Sequence, residues 1–137
     1  MAEKILCPID GSGHAGVGLV AAARLAKLTG AQLTLCTVNV AQGGVRGPTI
    51  NTWTEAEAQK LLSEGAAAAK NAGAPEVETV ELVAREAGPA IVTYAEHSGT
   101  THIVMGTGDK RGVKRLLLGS VASEVAGSAR CSVMIAR

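Results

Sequence analysis

Short apolar runs alternate with longer segments of helical periodicity along the chain, and this alternation constrains the fold more than any other feature. The apolar runs have the length and composition of buried strands, and they cover residues 5–9, 32–40, 77–83, 102–106 and 131–136. Strands joined by helical crossovers run parallel, because each crossover returns the chain to the edge where the previous strand began. The sequence therefore predicts one α/β domain over residues 1–137, with helices on both faces of a parallel sheet.

Capping residues and periodicity mark the predicted helices. Ser12 or Gly13 can cap the first helix. Its apolar stripe is predicted at positions on one helical face, namely Val17, Val20, Ala21, Leu25 and Leu28. Thr54 and Glu57 have the spacing of a capping box at the start of the second helix. Residues 41–52 have no period of their own and are predicted to form a Gly-rich loop.

The composition argues against several classes of partner. Hydrophobic residues make up 47% of the 137 residues, and the formal net charge of +1 gives no general attraction to nucleic acid or membranes. The chain has one Trp, one Tyr and no Phe, so it lacks the stacking platforms of single-strand nucleic-acid binders. Its start does not resemble a signal peptide, and no apolar stretch reaches about eighteen residues. We therefore expect a cytoplasmic protein that binds neither nucleic acid nor membranes.

The cysteines and histidines are too scattered for a metal site or a catalytic triad. We expect three buried, reduced thiols: Cys7, Cys36 and Cys131. The histidines lack partners at metal-ligand spacing and are expected at the surface or with satisfied hydrogen bonds: His14, His97 and His102. Ser12 lies two residues before His14, but no G-x-S-x-G elbow is present, so the pair does not predict a hydrolase.

A first glycine cluster follows the first predicted strand. Gly11, Gly13 and Gly16 match the G-x-G-x-x-G dinucleotide fingerprint in spacing and in context. That fingerprint also needs an acidic residue at the end of the second strand, which here ends at Val40 without one. The P-loop pattern is absent as well. The first cluster therefore does not favour a dinucleotide-dependent enzyme.

A second glycine cluster spans residues 106–120, with the sequence GTGDKRGVKRLLLGS. Gly106 ends the fourth predicted strand, and Gly119 and Ser120 begin the last helix. Backbone N–H groups at a helix start, with a serine hydroxyl, are suited to phosphate oxygens. Basic residues would add a cationic rim, namely Lys110, Arg111, Lys114 and Arg115. The pattern fits a phosphate site and equally a solvated basic turn.

Four segments together resemble the universal stress proteins: PIDGS at 8–12, GPA at 88–90, IVMG at 103–106 and KRLLLGSVASEV at 114–125. The resemblance implies a flavodoxin-like (Rossmann-like) domain whose five parallel strands have the order 3-2-1-4-5. It also implies a homodimer that forms through the C-terminal strand, from Cys131 to Ala136. Members of this family either bind ATP or carry no nucleotide. The ATP binders have the motif G-x2-G-x9-G-[ST] after the fourth strand.

The resemblance assigns nucleotide-binding roles to residues between the first and fourth strands, namely Asp10, Val38, Gly106, Asp109, Gly119, Ser120 and Val121. Val38 would meet adenine through its backbone. Asp10 would face the nucleotide or Mg²⁺, or it would cap its own turn as an Asx residue. Asp109 occupies the position of the second motif glycine, and Gly108 lies one position earlier.

Asp109 is the departure from the motif that divides the functional hypotheses. Its carboxylate at about 4 Å from a phosphate would cost roughly 1 kcal/mol in water and about 4 kcal/mol at an effective dielectric constant of 20. Mg²⁺, or the neighbouring Lys110 and Arg111, would offset that repulsion. The first hypothesis is therefore a stress protein that binds ATP or another adenine nucleotide, and the second is a nucleotide-free dimeric scaffold that acts through protein partners. Slow ATP hydrolysis is a third, for which the sequence offers no suitable general base.

Overall fold

The computed structural model describes residues 2–108 and 118–137. The strands in this part of the chain are β1 (Lys4–Pro8), β2 (Gln32–Gly43), β3 (Thr49–Asn51), β4 (Glu76–Ala84), β5 (His102–Gly106) and β6 (Ser132–Ala136). The helices are α1 (Gly13–Thr29), α2 (Glu55–Asn71), α3 (Ala87–Ser98) and α4 (Ser120–Ser128). None of these helices, within the described ranges, is long and apolar enough to cross a membrane.

Five parallel strands form the main sheet in the order β4-β2-β1-β5-β6. This is the order 3-2-1-4-5 when only the parallel strands are counted along the chain, so the predicted fold is confirmed. The sheet has a sixth strand, because β3 pairs antiparallel with the end of β2, with Ala41 opposite Asn51. The prediction of an irregular loop over residues 41–52 was therefore wrong. Gly43 and Gly44 have φ angles of 81° and 89° and allow the chain to reverse.

Helices cover the sheet on both faces, as the sequence predicts. Successive residues of a strand point to opposite faces, and each face has its own hydrophobic core. On one face, Ile5 and Cys7 of β1 pack with buried side chains of α1 and α2. On the other face, Leu6 packs with buried side chains of α3 and α4, including Ile91 and Val125. The central strands are therefore buried on both sides, which explains their continuous apolar runs.

The buried face of α1 differs from the predicted stripe. Val17, Val20 and Leu28 are 43%, 38% and 84% exposed. Small residues dominate the face that packs on the sheet: Ala15, Gly18, Leu19, Ala22, Ala23 and Ala26. A Cβ added to Gly18 would lie 2.7 Å from the backbone nitrogen of Gly106. The close approach of α1 to β5, which only small side chains allow, therefore decides which face of the helix is buried. The hydrophobicity of the side chains does not decide it.

The predicted caps of α1 and α2 are present. Ser12 is the N-cap of α1, and its hydroxyl accepts a hydrogen bond from the Ala15 backbone at 3.3 Å. In α2 the Thr54 hydroxyl accepts from the Glu57 backbone at 3.1 Å, and the Glu57 carboxylate accepts from the Thr54 backbone at 2.9 Å. These hydrogen bonds from Thr54 lower the pKa of the Glu57 carboxyl. The capping box therefore stabilises the start of α2 most when the Glu57 carboxyl is ionised.

Candidate functional site

A cleft of about 360 Å³ opens beyond the carboxyl ends of β1, β2 and β5. The chain passes from β1 to β2 on one side and places β5 on the other side of β1. The strand order therefore reverses at β1, and ligands of open α/β sheets bind at such a reversal. The starts of α1, α3 and α4 complete the walls.

Six of the seven predicted nucleotide-binding residues line this cleft, namely Asp10, Val38, Gly106, Gly119, Ser120 and Val121. They come from the ends of three strands and the start of α4, so only the folded chain brings them together. The seventh, Asp109, lies outside the described residues. So do the cations of the predicted rim: Lys110, Arg111, Lys114 and Arg115.

Backbone groups dominate the part of the cleft next to β5. Gly108 has a φ angle of 97°, and a Cβ added to it would lie 2.8 Å from the α-carbon of Gly119. The Gly119 N–H donates to the Thr107 carbonyl at 2.6 Å. The chain after β5 is thereby joined to the chain before α4. Gly108, to which the motif gives no role, is required by this contact and by its positive φ angle.

The first turn of α4 lines the cleft and has N–H groups without an intrahelical acceptor. Gly119 is the N-cap, with extended backbone at φ −64° and ψ 165°, and it makes no side-chain cap hydrogen bond. The first helical hydrogen bond runs from the Ser123 N–H to the Gly119 carbonyl at 2.9 Å. The N–H groups of the residues between them have no intrahelical acceptor. Together with the exposed Ser120 hydroxyl, they form a surface suited to an anion.

Asp10, Ser12 and His14 form one hydrogen-bonded network at the edge of the cleft. Asp10 Oδ1 accepts from the Ser12 N–H at 2.9 Å and from the Ser12 hydroxyl at 2.5 Å. The Ser12 Oγ also lies 2.9 Å from His14 Nε2. Because that hydroxyl donates to Asp10, His14 donates to it through Nε2. In a catalytic triad the imidazole lies between serine and carboxylate, so these three residues do not form one.

The carboxylate of Asp10 caps its turn and still has an oxygen for a second role. Within residues 2–108 and 118–137 no hydrogen bond involves Oδ2. Mg²⁺ is usually held by one or two carboxylates together with substrate phosphates. No group of three or more His, Cys, Asp or Glu residues in the described ranges could hold a metal ion. Asp10 therefore fits a Mg²⁺ ion that arrives with a phosphate ligand, and not a metal site built from protein side chains alone.

The part of the cleft next to β2 is apolar and carries the one tryptophan of the chain. Ile9, Val38, Ile91 and Trp53 line it. The sequence predicts no role for Trp53, which lies between the predicted loop of residues 41–52 and the capping box at Thr54. Its position directly before the capping box at Thr54 was the available signal.

The first glycine cluster does not build the dinucleotide fingerprint. In that fingerprint the third glycine allows close helix–strand packing. A Cβ added to Gly13 or Gly16 would meet nothing within 4 Å. The close contact of α1 with the sheet is at Gly18 instead, so the structure agrees with the argument against a dinucleotide-dependent enzyme.

The fold is a flavodoxin-like α/β domain with a cleft at the switch point of its sheet. The sequence model of the universal stress protein family matches residues 1–137, and the chain belongs to this family. A universal stress protein of Methanocaldococcus jannaschii is 33% identical over 140 residues, which cover 98% of this chain and 82% of that protein.

Two solved structures from Archaeoglobus fulgidus are also similar to this chain. One is a universal stress protein that is 28% identical to this chain, with a TM-score of 0.79. The match covers 100% of this chain and 99% of that protein. The other is the universal stress protein in complex with dAMP, which is 27% identical to this chain, with a TM-score of 0.75. The match covers 100% of this chain and 98% of that protein. The family assignment from the sequence is therefore confirmed.

Proposed function

We propose that the protein binds ATP or another adenine nucleotide in the cleft between β1 and β5, and that it acts as a regulator in a stress response. One observation carries the proposal: the residues near the ends of β1, β2 and β5 and at the start of α4 that the family resemblance selects lie around a single cleft. The similar A. fulgidus protein is a complex with dAMP, an adenine nucleotide. This supports an adenine nucleotide as the ligand class.

The two parts of the cleft suit the two parts of a nucleotide. The apolar wall at Ile9, Val38 and Ile91 suits a base, which gains stability when its faces leave water. The glycine backbone at Gly106 and the start of α4 suit phosphates, because they present N–H groups and a positive dipole end. Asp10 would contribute one ligand to a Mg²⁺ ion carried by those phosphates.

The same site is not equipped for fast chemistry. The titratable side chains among its described lining are Asp10 and His14, and both are hydrogen-bonded to or through Ser12. A fast hydrolase holds its general base against the attacking water, whereas the hydrogen bonds of His14 Nε2 and Asp10 Oδ1 are directed at Ser12 within the protein. We therefore propose a cytoplasmic binding protein with at most slow ATP hydrolysis.

A nucleotide-free scaffold is the second candidate function, and Asp109 favours it. This residue places a carboxylate where the ATP-binding members have a glycine, and the carboxylate repels phosphate. In this case the protein would act through partner proteins, and the cleft would not bind nucleotide.

We also propose a homodimer that forms through the strand from Cys131 to Ala136. Among the described residues β6 pairs with β5, and its other edge has no strand partner. Met134 on this strand is 43% exposed. An apolar sheet edge is protected when a second copy pairs with it. Sedimentation velocity should show a dimer, and Met134→Lys should shift it toward monomer; a wild-type monomer at all concentrations would reject the proposal.

The nucleotide proposal is tested on protein purified without added ligand. The protein is denatured, and the released small molecules are separated by ion-exchange chromatography and identified by mass spectrometry. An adenine nucleotide at a fixed stoichiometry supports the first function. If no nucleotide is released and the protein does not bind ATP on titration, the scaffold function is favoured.

A further inference from the structure

Trp53 lines the cleft, and a buried asparagine holds its backbone. We propose that Trp53 stacks on the base of the nucleotide and thereby contributes to the affinity of the site for ligands that carry a base. This inference rests on the proposed nucleotide function and adds a residue to it that the family motif does not contain. It follows from the position of Trp53 in the cleft and from the way its backbone is fixed.

Asn39 fixes the backbone of Trp53 on both sides of the residue. Its Nδ2 donates to the Trp53 carbonyl at 2.8 Å, and its Oδ1 accepts from the Trp53 N–H at 2.9 Å. Nδ2 also donates to Glu81 Oε2 on β4 at 2.9 Å. Asn39 is 1% exposed, and a buried amide is stable only when its polar atoms are paired. The asparagine therefore has one defined orientation, and that orientation sets the position of Trp53.

The residues next to Trp53 are fixed as well. The Thr52 N–H and hydroxyl both donate to the Val40 carbonyl, at 3.0 and 3.1 Å. On the other side, Thr54 takes part in the capping box with Glu57. The Trp53 backbone is thus held from three directions. Its indole makes no hydrogen bond within the described residues, and Trp53 is one of the residues that line the cleft.

The backbone of Trp53 is fixed by Asn39, and the side chain of Trp53 takes no part in those hydrogen bonds. Because the hydrogen bonds of Asn39 go to the backbone of Trp53, they remain when the side chain is changed. The indole is then free to act as a flat apolar surface, and aromatic side chains stack on every base. The glycine backbone near β5 contacts only phosphate in our proposal, so the base would bind at the β2 side of the cleft, where Trp53 lies.

The test compares three variants in isothermal titration with ATP. Trp53→Leu removes the ring, Trp53→Phe keeps an aromatic face, and Ile50→Ala is the matched control. Ile50 lies on the same hairpin, is 67% exposed and does not line the cleft. We expect Trp53→Leu to bind ATP about 5- to 150-fold more weakly than wild type. Trp53→Phe should recover most of the affinity, and Ile50→Ala should match wild type.

The wild-type protein gives an independent readout if Trp53→Leu does not fold. The chain has one Trp, so all indole emission comes from Trp53. Saturating ATP should change this emission and should reduce its quenching by acrylamide, because a stacked base covers the indole. Unchanged emission and quenching at saturation would overturn the inference.

The outcomes separate this inference from the proposed function. If wild type binds ATP and Trp53→Leu binds it equally well, only the role of Trp53 is rejected. If wild type binds no adenine nucleotide, the proposed function fails and the inference fails with it. If Trp53→Leu and Ile50→Ala lose affinity to the same extent, the hairpin acts structurally and Trp53 does not recognise the base.

Discussion

The last residue of β5, Gly106, packs directly against the backbone of His14 in the first turn of α1. A Cβ added to Gly106 would lie 2.6 Å from the carbonyl carbon of His14, closer than side-chain carbons approach the backbone. One turn further along the helix, Gly18 makes a similar contact with β5. The first glycine of the phosphate motif therefore has a packing role, which is to place the start of α1 beside the cleft.

This contact predicts that Gly106→Ala destabilises the protein. The added methyl group meets backbone and not a flexible side chain, so we expect a loss of about 1–3 kcal/mol in the free energy of unfolding. Gly16→Ala is the matched control. Gly16 lies in α1, the helix that contacts Gly106, and a Cβ added to it would meet nothing within 4 Å. That variant should gain roughly 0.5–1 kcal/mol. Urea denaturation followed by circular dichroism measures both; equal stability of Gly106→Ala and wild type would contradict the packing role.

The capping box of α2 predicts a pH-dependent contribution to stability. Hydrogen bonds from Thr54 lower the pKa of the Glu57 carboxyl from its ordinary value of 4.5. A carboxyl group whose pKa is lower in the folded state than in the unfolded state stabilises the fold at pH values above its unfolded-state pKa. This stabilisation is lost as the pH falls through the folded-state pKa. Glu57→Gln keeps an acceptor and removes the charge. We expect wild type to be the more stable at pH 7 and the difference to vanish below the lowered pKa; a difference that is independent of pH would contradict this account.

The cysteines differ in burial, and alkylation should detect the difference. Burial raises the pKa of the Cys7 thiol to about 12 and raises that of Cys36 further. Cys131 is only partly buried, so the prediction of three buried thiols was wrong for this residue. Native protein treated with iodoacetamide at pH 8 should be modified at Cys131 before the other two, because thiolate and access are both required. Modification of Cys7 or Cys36 first, measured by peptide mass spectrometry, would contradict the structure.

Ser120 should contribute to phosphate binding if the nucleotide lies as proposed. A hydrogen bond from its hydroxyl to a charged oxygen would be lost in Ser120→Ala, with an expected loss of about tenfold or more in ATP affinity. Ser123 lies in the same helix but does not line the cleft, so Ser123→Ala is the control and should bind as wild type does. Equal affinities of the two variants would place the phosphates elsewhere.

Most of the fold could be predicted because strand and helix segments are each encoded locally. Apolar runs such as residues 32–40, and the capping pair Thr54 and Glu57, specify their elements without distant partners. The face of α1 could not be predicted in this way. Val17 and Val20 are the more hydrophobic choice, but Gly18 and its small neighbours are buried because the helix must approach β5 closely. That requirement belongs to the tertiary structure.

The candidate site was predictable where a glycine cluster or the family resemblance indicates its residues, and not elsewhere. Ser120 was predicted from the glycine cluster at the helix start and Asp10 from the resemblance, and both line one cleft. Trp53 and Gly108 were missed, since the role of each depends on a partner that is distant in sequence. Asn39 lies 14 residues before Trp53, and Gly119 lies beyond the undescribed segment after Gly108. Neither pairing has a sequence signature.

The most direct test of the central claim is a calorimetric titration of ATP into nucleotide-free wild type and Asp109→Gly, with and without Mg²⁺. We expect wild type to bind ATP in the micromolar range, and more tightly with Mg²⁺ than without it. We expect Asp109→Gly to bind about one to three decades more tightly when Mg²⁺ is absent, because the carboxylate no longer repels the phosphates. No heat from either protein up to millimolar ATP would contradict the claim that this cleft is a nucleotide site.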